Sequence, residues 1–395
     1  MNRNARIKLV RVMTVPISIK YILDGQLRYL GENGFEVTTV SADGPEVPFI
    51  VENEKCQHKT VPFTRKITPL TDLACLVELV SLFRELKPQI VHTQTPKAGL
   101  LGMIAAWIAR VPVRIHTVAG LPLMEARGFR KLFLTMSEKI TYRFATRVYS
   151  NSMSLREYLH KAFGLPKDKT GVIGNGSSNG IDTLKFSRNE QAVIGAQQIR
   201  RLHGIMDDEL VFCFVGRLVK DKGVQELVDA FTRLKAGSQK LRLILLGHFE
   251  SDLDPLDENT RAIIESDERI VSPGFRSEVS AYMAASDVFV FPSYREGFPN
   301  VVLQACAMEL PSIVTDINGS NEIIRNGDNG LIVKTRDVEG LYEAMKLLST
   351  DVALRKSLGG QARSEVVRKF DKPAFLEKLK KEYKTLIDEH VPAHR

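Results

Sequence analysis

At 395 residues the chain is longer than one hydrophobic core usually organises, so two domains of similar size are expected. Its hydrophobic fraction of 44% and charged fraction of 26% are ordinary for a globular protein and exclude a largely disordered chain. The N-terminus lacks the apolar core of a signal peptide, no window of about 18 uncharged apolar residues predicts a membrane span, and four scattered cysteines favour a reducing cytoplasm.

Short apolar runs alternate with helical patterns along the first half of the chain. The predicted strands are 7–13, 35–40, 90–92, 113–118, 147–150 and 171–173. This alternation predicts a parallel sheet that binds its ligand at the carboxyl ends of the strands. The first crossover is predicted to lead into one helix over 19–31. Its loop lacks the G-x-G-x-x-G spacing of a dinucleotide-binding turn, which argues against a dehydrogenase.

Two histidines and a few loop cations are the polar candidates of this half. His116 follows the run 113–115 at the end of a predicted strand, so its ring could face a ligand, and an ordinary buried histidine is the equal alternative. His92 is interpreted as structural. Lys97 and the pair Arg65-Lys66 are candidates for binding the diphosphate of a ligand, although basic loop residues are more commonly just solvated.

The excess positive charge of the chain lies in its first half. Residues 1–185 hold 26 Lys and Arg against 15 Asp and Glu, whereas residues 186–395 hold 29 against 32. From Lys97 to Arg147, nine basic residues stand against only Glu125 and Glu138, with Leu, Met and Phe among them. This pattern suits an interfacial segment on anionic lipid headgroups. A basic helix packed on its own sheet is the equal alternative.

The second half repeats the alternation of strands and helices. Its predicted strands are 211–215, 241–246, 269–271, 288–291, 312–314 and 331–333. We therefore predict an N-terminal Rossmann-like domain over residues 1–185, a second one over 186–370 and a C-terminal helix over 371–395. A cleft between two such domains is the natural ligand site.

Two cations follow the first predicted strand of the second half. Arg217 comes directly after it, and Lys222 precedes an amphipathic helical run. Arg217 offers a planar fork for phosphate oxygens and Lys222 a compact charge, a pair that suits diphosphate binding without a metal. A solvated basic turn is the alternative. Downstream, Asp252-Leu-Asp254 imitates a D-x-D metal signature but lies in an acid-rich loop, so no metal site is predicted.

The stretch from Glu296 to Gln304 joins a predicted strand to a helix. Pro299 suits the first position of that helix, whose free N–H groups and dipole attract phosphate or hydroxyl oxygens. Gly297 lets a ligand approach the backbone closely. Glu296 would then lie at the rim, facing the ligand. A surface turn with an exposed glutamate is the plainer interpretation.

Together these motifs resemble the retaining, nucleotide-sugar-dependent glycosyltransferases of family four, which have the two-domain GT-B fold. The resemblance covers nearly the whole chain, and the stretches that carry it are 116–120, 179–182, 216–223, 296–304, 315–322 and 326–330. Within the family, residues 91–99 and 174–180 are most similar to bacterial enzymes that extend lipid-linked or capsular glycans. The fold also implies that the C-terminal helix crosses back to the first domain.

The resemblance implies contacts between individual residues and a nucleotide-sugar donor. The residues concerned are His116, Arg217, Lys222, Phe275, Glu296, Gly297, Phe298, Pro299, Asn300 and Gln304. Of these, Arg217, Lys222 and the helix N-terminus stabilise the departing diphosphate, while Glu296 orients the sugar. His116 contacts the sugar and the leaving phosphate. No metal and no cofactor are expected.

Two of these positions concern the nucleoside. Phe275 follows a predicted strand and resembles the position where backbone groups meet the base, with core packing as the equal alternative. The family usually has glutamate at both ends of an E-x7-E motif, whereas this chain has Gln304 at the second, the position assigned to the ribose hydroxyls. A neutral amide predicts a weaker or rearranged ribose contact rather than loss of binding.

We therefore predict a retaining hexosyltransferase that takes a hexose or N-acetylhexosamine from a nucleotide diphosphate sugar, with UDP favoured. Its expected acceptor is a glycan, lipid-diphosphate-linked, in capsule or O-antigen synthesis, and its expected place is the cytoplasm or the inner face of the membrane. A nucleotide-sugar epimerase is a second candidate, which the Glu296 loop argues against. A non-catalytic nucleic-acid-binding protein is a third. It is disfavoured because the only tryptophan, Trp107, lies in an apolar run and offers no stacking platform.

Overall fold

The computed structural model of the chain describes residues 6–121, 123, 126, 128–237, 240–250 and 254–391, with the backbone alone for Arg130. It divides into two compact units. The first comprises the chain up to Gly180 together with residues from Pro373 onwards, and the second comprises Ile181–Lys372. The predicted domain boundary between residues 185 and 186 lies just beyond this division. Met124, Glu125 and Arg127 of the basic segment 97–147 lie outside the described residues, as does Asp252 of the stretch that imitates a metal signature.

The first unit alternates strands with helices. Its strands are β1 (Ile7–Val12), β2 (Phe35–Ser41), β3 (Gln57–Thr60), β4 (Ile90–Thr93), β5 (Val113–Val118), β6 (Arg147–Ser150) and β7 (Thr170–Val172). Its helices are α1 (Pro16–Ile22), α2 (Gln26–Glu32), α3 (Val47–Glu54), α4 (Pro69–Leu86), α5 (Pro96–Ile108), α6 (Gly128–Phe144) and α7 (Met153–Phe163).

The second unit has the same alternation. Its strands are β8 (Leu210–Val215), β9 (Leu241–Leu246), β10 (Ile270–Gly274), β11 (Val288–Phe291), β12 (Ser312–Thr315) and β13 (Gly330–Val333). Its helices are α8 (Glu190–Leu202), α9 (Val224–Ala236), α10 (Glu258–Ser266), α11 (Val279–Ala284), α12 (Asn300–Ala307), α13 (Ser320–Ile323), α14 (Val338–Thr350) and α15 (Val352–Phe370). The last helix, α16 (Lys372–His390), returns to the first unit.

Each unit is organised by one sheet. In the described part of the chain, the first sheet has the strand order β3-β2-β1-β4-β5-β6-β7 and the second the order β10-β9-β8-β11-β12-β13. All the pairs of neighbouring strands in these two sheets are parallel. The direction of strand progression reverses between β1 and β4 in the first sheet and between β8 and β11 in the second. Loops at the carboxyl ends of those strands are where such sheets bind ligands.

The prediction of one helix over 19–31 is wrong, because the segment forms two helices. Gly25 has φ of +71° and separates α1 from α2. The carboxylate of Glu54, which is 5% exposed, accepts hydrogen bonds from the N–H groups of Gly25, Leu27 and Arg28. A buried acid therefore caps α2 where no residue of its own sequence does so.

Helix α16 packs on the first sheet through an apolar stripe. Its buried residues Phe375, Leu379, Tyr383 and Leu386 join the core cluster that includes Leu9 of β1. Strands buried on both faces in this way account for the continuous apolar runs in the sequence. None of the helices in the described part of the chain combines the length and the hydropathy that a membrane crossing needs.

Candidate functional site

Two loops of the second unit meet where its strand order reverses. The loop after β8 carries Arg217 and Lys222, and the loop after the neighbouring strand β11 carries Glu296. The Tyr294 N–H donates to the Asp221 carbonyl at 2.8 Å and ties the two loops together. Three of the sequence-predicted residues are thus brought to one edge of one sheet.

An ion pair between Lys222 and Glu296 joins these loops. Lys222 Nζ contacts Glu296 Oε1, and the two side chains are 15% and 18% exposed. The Ser293 hydroxyl lies 3.2 Å from the same carboxylate oxygen. Because the pair is largely withdrawn from solvent, salt screens it less than an ordinary surface pair. Each side chain is therefore held in one position facing the other.

Arg217 forms an ion pair that the sequence did not predict. Its Nη1 contacts the carboxylate of Glu250, on the loop after β9. The backbones of the two loops run side by side, since the Leu218 N–H donates to the His248 carbonyl at 3.0 Å. The Arg217 side chain remains 41% exposed, so part of its guanidinium stays open to solvent.

A third ion pair lies at the same edge of the sheet. Arg295 Nη2 lies 2.9 Å from Asp221 Oδ2, and the Asp221 N–H donates to Asp254 Oδ2 at 2.6 Å. Asp254 therefore takes part in a local hydrogen-bond network. In the described ranges, no group of three or more His, Cys, Asp or Glu side chains could hold a metal. Metal-free binding stays a prediction.

The Glu296 loop leads into α12 and is supported by the motif 315–322. Helix α12 begins at Asn300 with Pro299 as its N-cap, so the predicted helix start at Pro299 is wrong by one residue. Proline lacks an N–H and is tolerated at either place. Asn318 Nδ2 donates to the carbonyls of Glu296 and Gly297 at 3.1 and 3.0 Å. This support was not foreseen.

Gly319 belongs to the same support. Its φ is +80°, and a Cβ there would lie 2.6 Å from the Gly297 carbonyl oxygen. Only glycine combines that backbone conformation with so close an approach. The Thr315 hydroxyl also donates to the Ser293 carbonyl. The motif 315–322 therefore supports the Glu296 loop through hydrogen bonds and a close backbone contact.

The remaining predicted donor residues lie around these loops. The Phe298 side chain is 7% exposed and packs against Phe370, with ring centroids 5.5 Å apart, so the ring itself is withdrawn from a ligand. Gln304 is half-buried on α12, and Phe275 is 54% exposed directly after β10. Their contacts with a donor stay predictions.

His116 lies on β5 of the first unit and is 2% exposed. Its Nδ1 shares a hydrogen bond of 2.8 Å with Thr93 Oγ1. Burial lowers the pKa of His116 to about 3, so the ring is neutral at physiological pH. A Cβ at Gly99 of α5 would lie 2.5 Å from His116 Cε1. The stretches 91–99 and 116–120 therefore meet around this ring.

His92 is a satisfied buried histidine, in agreement with its interpretation as structural. Its Nδ1 accepts from Arg11 Nη1 at 2.5 Å and lies 2.6 Å from the Tyr383 hydroxyl, and its Nε2 lies 2.7 Å from Thr117 Oγ1. Burial and then Arg11 lower the pKa of His92 well below its ordinary value. Since Tyr383 lies on α16, this network anchors the last helix to the first sheet.

Lys97 is engaged within its own unit. Its Nζ lies 2.7 Å from Asp72 Oδ1 and donates to Thr64 Oγ1 at 2.8 Å. A diphosphate would have to displace these partners, as it would displace Glu296 from Lys222, so diphosphate binding by Lys97 stays a prediction. The neighbouring Arg65 and Lys66 are exposed.

Helix α6 of the basic segment exposes an apolar stripe. Phe129, Leu132, Phe133, Met136 and Ile140 are 91, 58, 47, 54 and 37% exposed. The opposite side of the helix carries the buried Glu138 and Tyr142. The helix therefore packs on its own unit by one side and presents the stripe to the outside by the other.

Comparisons with known proteins bear on this architecture. Residues 209–351 match the family model described as glycosyl transferases group 1, and residues 23–178 match the one described as glycosyltransferase family 4. The capsular polysaccharide biosynthesis glycosyltransferase CapM of Staphylococcus aureus is 34% identical over 382 residues, which cover 97% of this chain and 98% of CapM.

Two further proteins are similar over nearly their whole length. The UDP-Gal:alpha-D-GlcNAc-diphosphoundecaprenol alpha-1,3-galactosyltransferase of Escherichia coli is 26% identical over 391 residues, 97% of this chain and 98% of that protein. Anabaena HepE, solved in complex with UDP and glucose, matches with a TM-score of 0.82 at 19% identity, over 96% of this chain and 100% of that chain. At that identity the likeness concerns the fold, and it confirms the predicted GT-B fold.

Proposed function

The chain belongs to the family-four, group 1 glycosyltransferases, and from this premise we propose that it transfers a sugar from a UDP-sugar to a lipid-diphosphate-linked glycan acceptor. The meeting of Arg217, Lys222 and Glu296 at the reversal of the second sheet carries the proposal. The choice of UDP and of a lipid-linked acceptor is supported by the UDP-Gal and diphosphoundecaprenol substrates of the Escherichia coli relative and by the UDP bound to HepE. Synthesis of a surface polysaccharide follows from the similarity to CapM.

Donor binding begins with an exchange of charge partners. In the free protein Arg217 faces Glu250 and Lys222 faces Glu296. The diphosphate meets the open part of the Arg217 guanidinium, whose fork matches two phosphate oxygens. The N-terminus of α12 receives no side-chain cap from Pro299, and the positive end of the helix dipole attracts the diphosphate. The diphosphate is thus held by fixed dipoles and cations.

In the chemical step the protein acts mainly by stabilising the leaving group, UDP. The bond between the anomeric carbon and the phosphate oxygen breaks, and its electron pair goes to UDP. The acceptor hydroxyl oxygen attacks the anomeric carbon from the same face, and its proton passes to the departing phosphate oxygen, so configuration is retained. Arg217 and Lys222 stabilise the negative charge that grows on the phosphate. Glu296 and the backbone of residues 297–300 orient the sugar.

Two residues act through neutral hydrogen bonds. His116 is uncharged because its pKa is about 3, so its contribution to the sugar and phosphate is a hydrogen bond rather than a positive charge. Gln304 meets the ribose with one acceptor and two donors, where a carboxylate would accept from both hydroxyls. Ribose binding is accordingly weaker than in an enzyme with a glutamate there.

The acceptor is reached at a membrane surface. The apolar stripe of α6 is exposed, and the cations Lys139 and Arg143 lie on the same helix. Such a face suits peripheral contact with anionic lipid, which brings the enzyme to a lipid-linked substrate. The site supplies no specific observation in favour of an epimerase or a nucleic-acid-binding protein.

Thermal stability in the presence of nucleotides tests the donor proposal. A ligand that binds only the folded state raises the apparent Tm, so UDP and UDP-sugars are expected to raise it more than GDP, without added metal. Arg217→Ala should abolish the shift. Arg233→Ala is the matched control, because Arg233 is similarly exposed and ion-paired, with Glu339 at 2.9 Å. No shift with any UDP compound, or an equal loss in both variants, would contradict the proposal.

A further inference from the structure

A pocket with an aromatic floor and a basic rim opens at the amino-terminal edge of the first sheet. It lies where α5, α6 and α7 end and has a volume of about 660 Å³. The residues that define it are Trp107, Phe144 and Phe163 on the floor and Lys139, Arg143 and Lys169 on the rim. The ligand loops expected for such a sheet lie at the opposite edge, after the carboxyl ends of its strands. Nothing in the proposed donor chemistry uses this pocket.

The floor is an exposed aromatic surface. The rings of Trp107 and Phe144 pack with centroids 4.9 Å apart, yet Trp107 remains 53% exposed. A tryptophan that is half covered by apolar groups and half open suits a boundary between an apolar phase and water. The exposed half of Trp107 can therefore contact an apolar group of a ligand.

The rim carries positive charge without a carboxylate. None of the described residues that line the pocket is Asp or Glu. Arg114 lies beside the rim and donates to the carbonyls of Val111 and Phe144 at 2.6 and 2.7 Å, so it adds charge rather than removing it. Burial, and then Arg114 and Arg143, lower the pKa of Lys169. An anion seated among these cations would relieve their repulsion.

The helix dipole does not account for the whole cluster. Arg143 lies in the last turn of α6, where a cation is favourable for its own sake. Lys169 follows α7 in a separate connection and lines the same pocket. The convergence of cations from different elements on one apolar floor indicates a ligand with an anionic and an apolar part.

The apolar stripe of α6 leads to this pocket. The exposed residues Phe129, Leu132, Phe133, Met136 and Ile140 recur at helical spacings of three and four and share one face. Arg143 follows Ile140 at the same spacing and continues that face to the rim. The pocket and the stripe are therefore parts of one surface.

We propose that this pocket binds the headgroup of an anionic phospholipid in the membrane on which the α6 stripe rests. The phosphate lies among Lys139, Arg143 and Lys169, and the start of the acyl chains lies on Trp107. The inference deepens the membrane contact of the proposed function and rests on it. It assigns the lipid a defined site where the stripe alone would give only a nonspecific contact.

Fluorescence of Trp107 tests the site directly, because it is the chain's only tryptophan. Dihexanoyl-phosphatidylglycerol is titrated below its micelle-forming concentration into the full chain at fixed salt, with dihexanoyl-phosphatidylcholine and inorganic phosphate as comparison probes. The emission should change saturably with the phosphatidylglycerol and with neither comparison probe. Since each cation near an anionic lipid is worth roughly fivefold in affinity, Lys139→Ala/Lys169→Ala should weaken binding roughly 25-fold. Arg143→Gln serves as a second variant if the double substitution does not fold.

Lys131→Ala is the matched control, since Lys131 is exposed on the same helix outside the pocket. The proposal is overturned if the emission does not saturate, if phosphatidylcholine acts equally, or if Lys131→Ala weakens binding as much as the double variant. If the protein binds the short-chain lipid but does not float with phosphatidylglycerol vesicles, the ligand is a free phosphate ester and not a lipid in a membrane. If lipid binding fails but UDP still raises the Tm, only the proposed lipid site is wrong. If UDP also leaves the Tm unchanged, the proposed function is wrong as well.

Discussion

Replacing Glu250 with glutamine is expected to tighten UDP binding. Glu250 neutralises Arg217 in the free protein and lies on the loop beside it, so its carboxylate competes with the diphosphate for the same guanidinium. The side chains are 41% and 23% exposed, and pairs of that exposure are worth roughly 0.2 to 1 kcal/mol. Repulsion between Glu250 and the bound diphosphate is of similar size.

Removal of both effects, together roughly 0.4 to 2 kcal/mol, predicts a UDP dissociation constant about two- to thirtyfold lower, since roughly 1.4 kcal/mol is a factor of ten. Isothermal titration calorimetry with UDP on the parent chain and Glu250→Gln measures it. Glu339→Gln is the matched control, because Glu339 pairs with Arg233 in the same unit. Weaker UDP binding by Glu250→Gln would refute the reasoning and mean that Glu250 positions Arg217 for the donor.

Three further substitutions have defined outcomes. Gln304→Glu supplies charge-assisted hydrogen bonds to the ribose and should lower KM for the UDP-sugar about two- to tenfold; an unchanged KM would remove Gln304 from the ribose site. Gly99→Ala places a Cβ against His116 and should cost about 1 to 3 kcal/mol in chemical denaturation, whereas Gly31→Ala, with open space around it, should not clash. Burial raises the pKa of Glu138 from 4.5 to about 7, so its contribution to stability is present below pH 4.5 and is lost as pH rises through 7. The free energy of unfolding should therefore fall by about 3 kcal/mol less between pH 4.5 and 7 in Glu138→Gln than in the parent chain. The same pH dependence in both proteins would contradict the effect of burial on Glu138.

The strand positions were accessible from the sequence because buried parallel strands are short continuous apolar runs. Strands β5, β6, β9 and β11 have the predicted bounds. Strand β3 was missed, since Gln57–Thr60 is polar and lies at the edge of its sheet, where no apolar run is required.

The break between α1 and α2 also depends on tertiary contacts. The apolar pattern over 19–31 is continuous enough to predict one helix. Gly25 and the buried Glu54 of a later helix divide it, and a cap that comes from another element leaves no local signal. The same limit explains why the support of the Glu296 loop by Asn318 was not foreseen.

At the site, sequence motifs identified which residues meet but not how they are paired. Arg217, Lys222 and Glu296 follow neighbouring strands, so their proximity was predictable from the fold. The Arg217–Glu250 pair depends on two loops lying side by side, which strand order alone does not specify. The burial of His116 likewise depends on how closely α5 approaches β5 at Gly99.

Sugar transfer by Glu296→Gln tests the central claim most directly. The parent chain and this variant are given UDP-sugars and a lipid-diphosphate-linked glycan, and UDP release is followed together with glycosylated lipid. We expect one UDP released per sugar transferred by the parent chain, and a loss of about 100-fold or more in the variant with its melting temperature largely kept. Equal turnover by Glu296→Gln, or no consumption of any UDP-sugar by the parent chain, would contradict it.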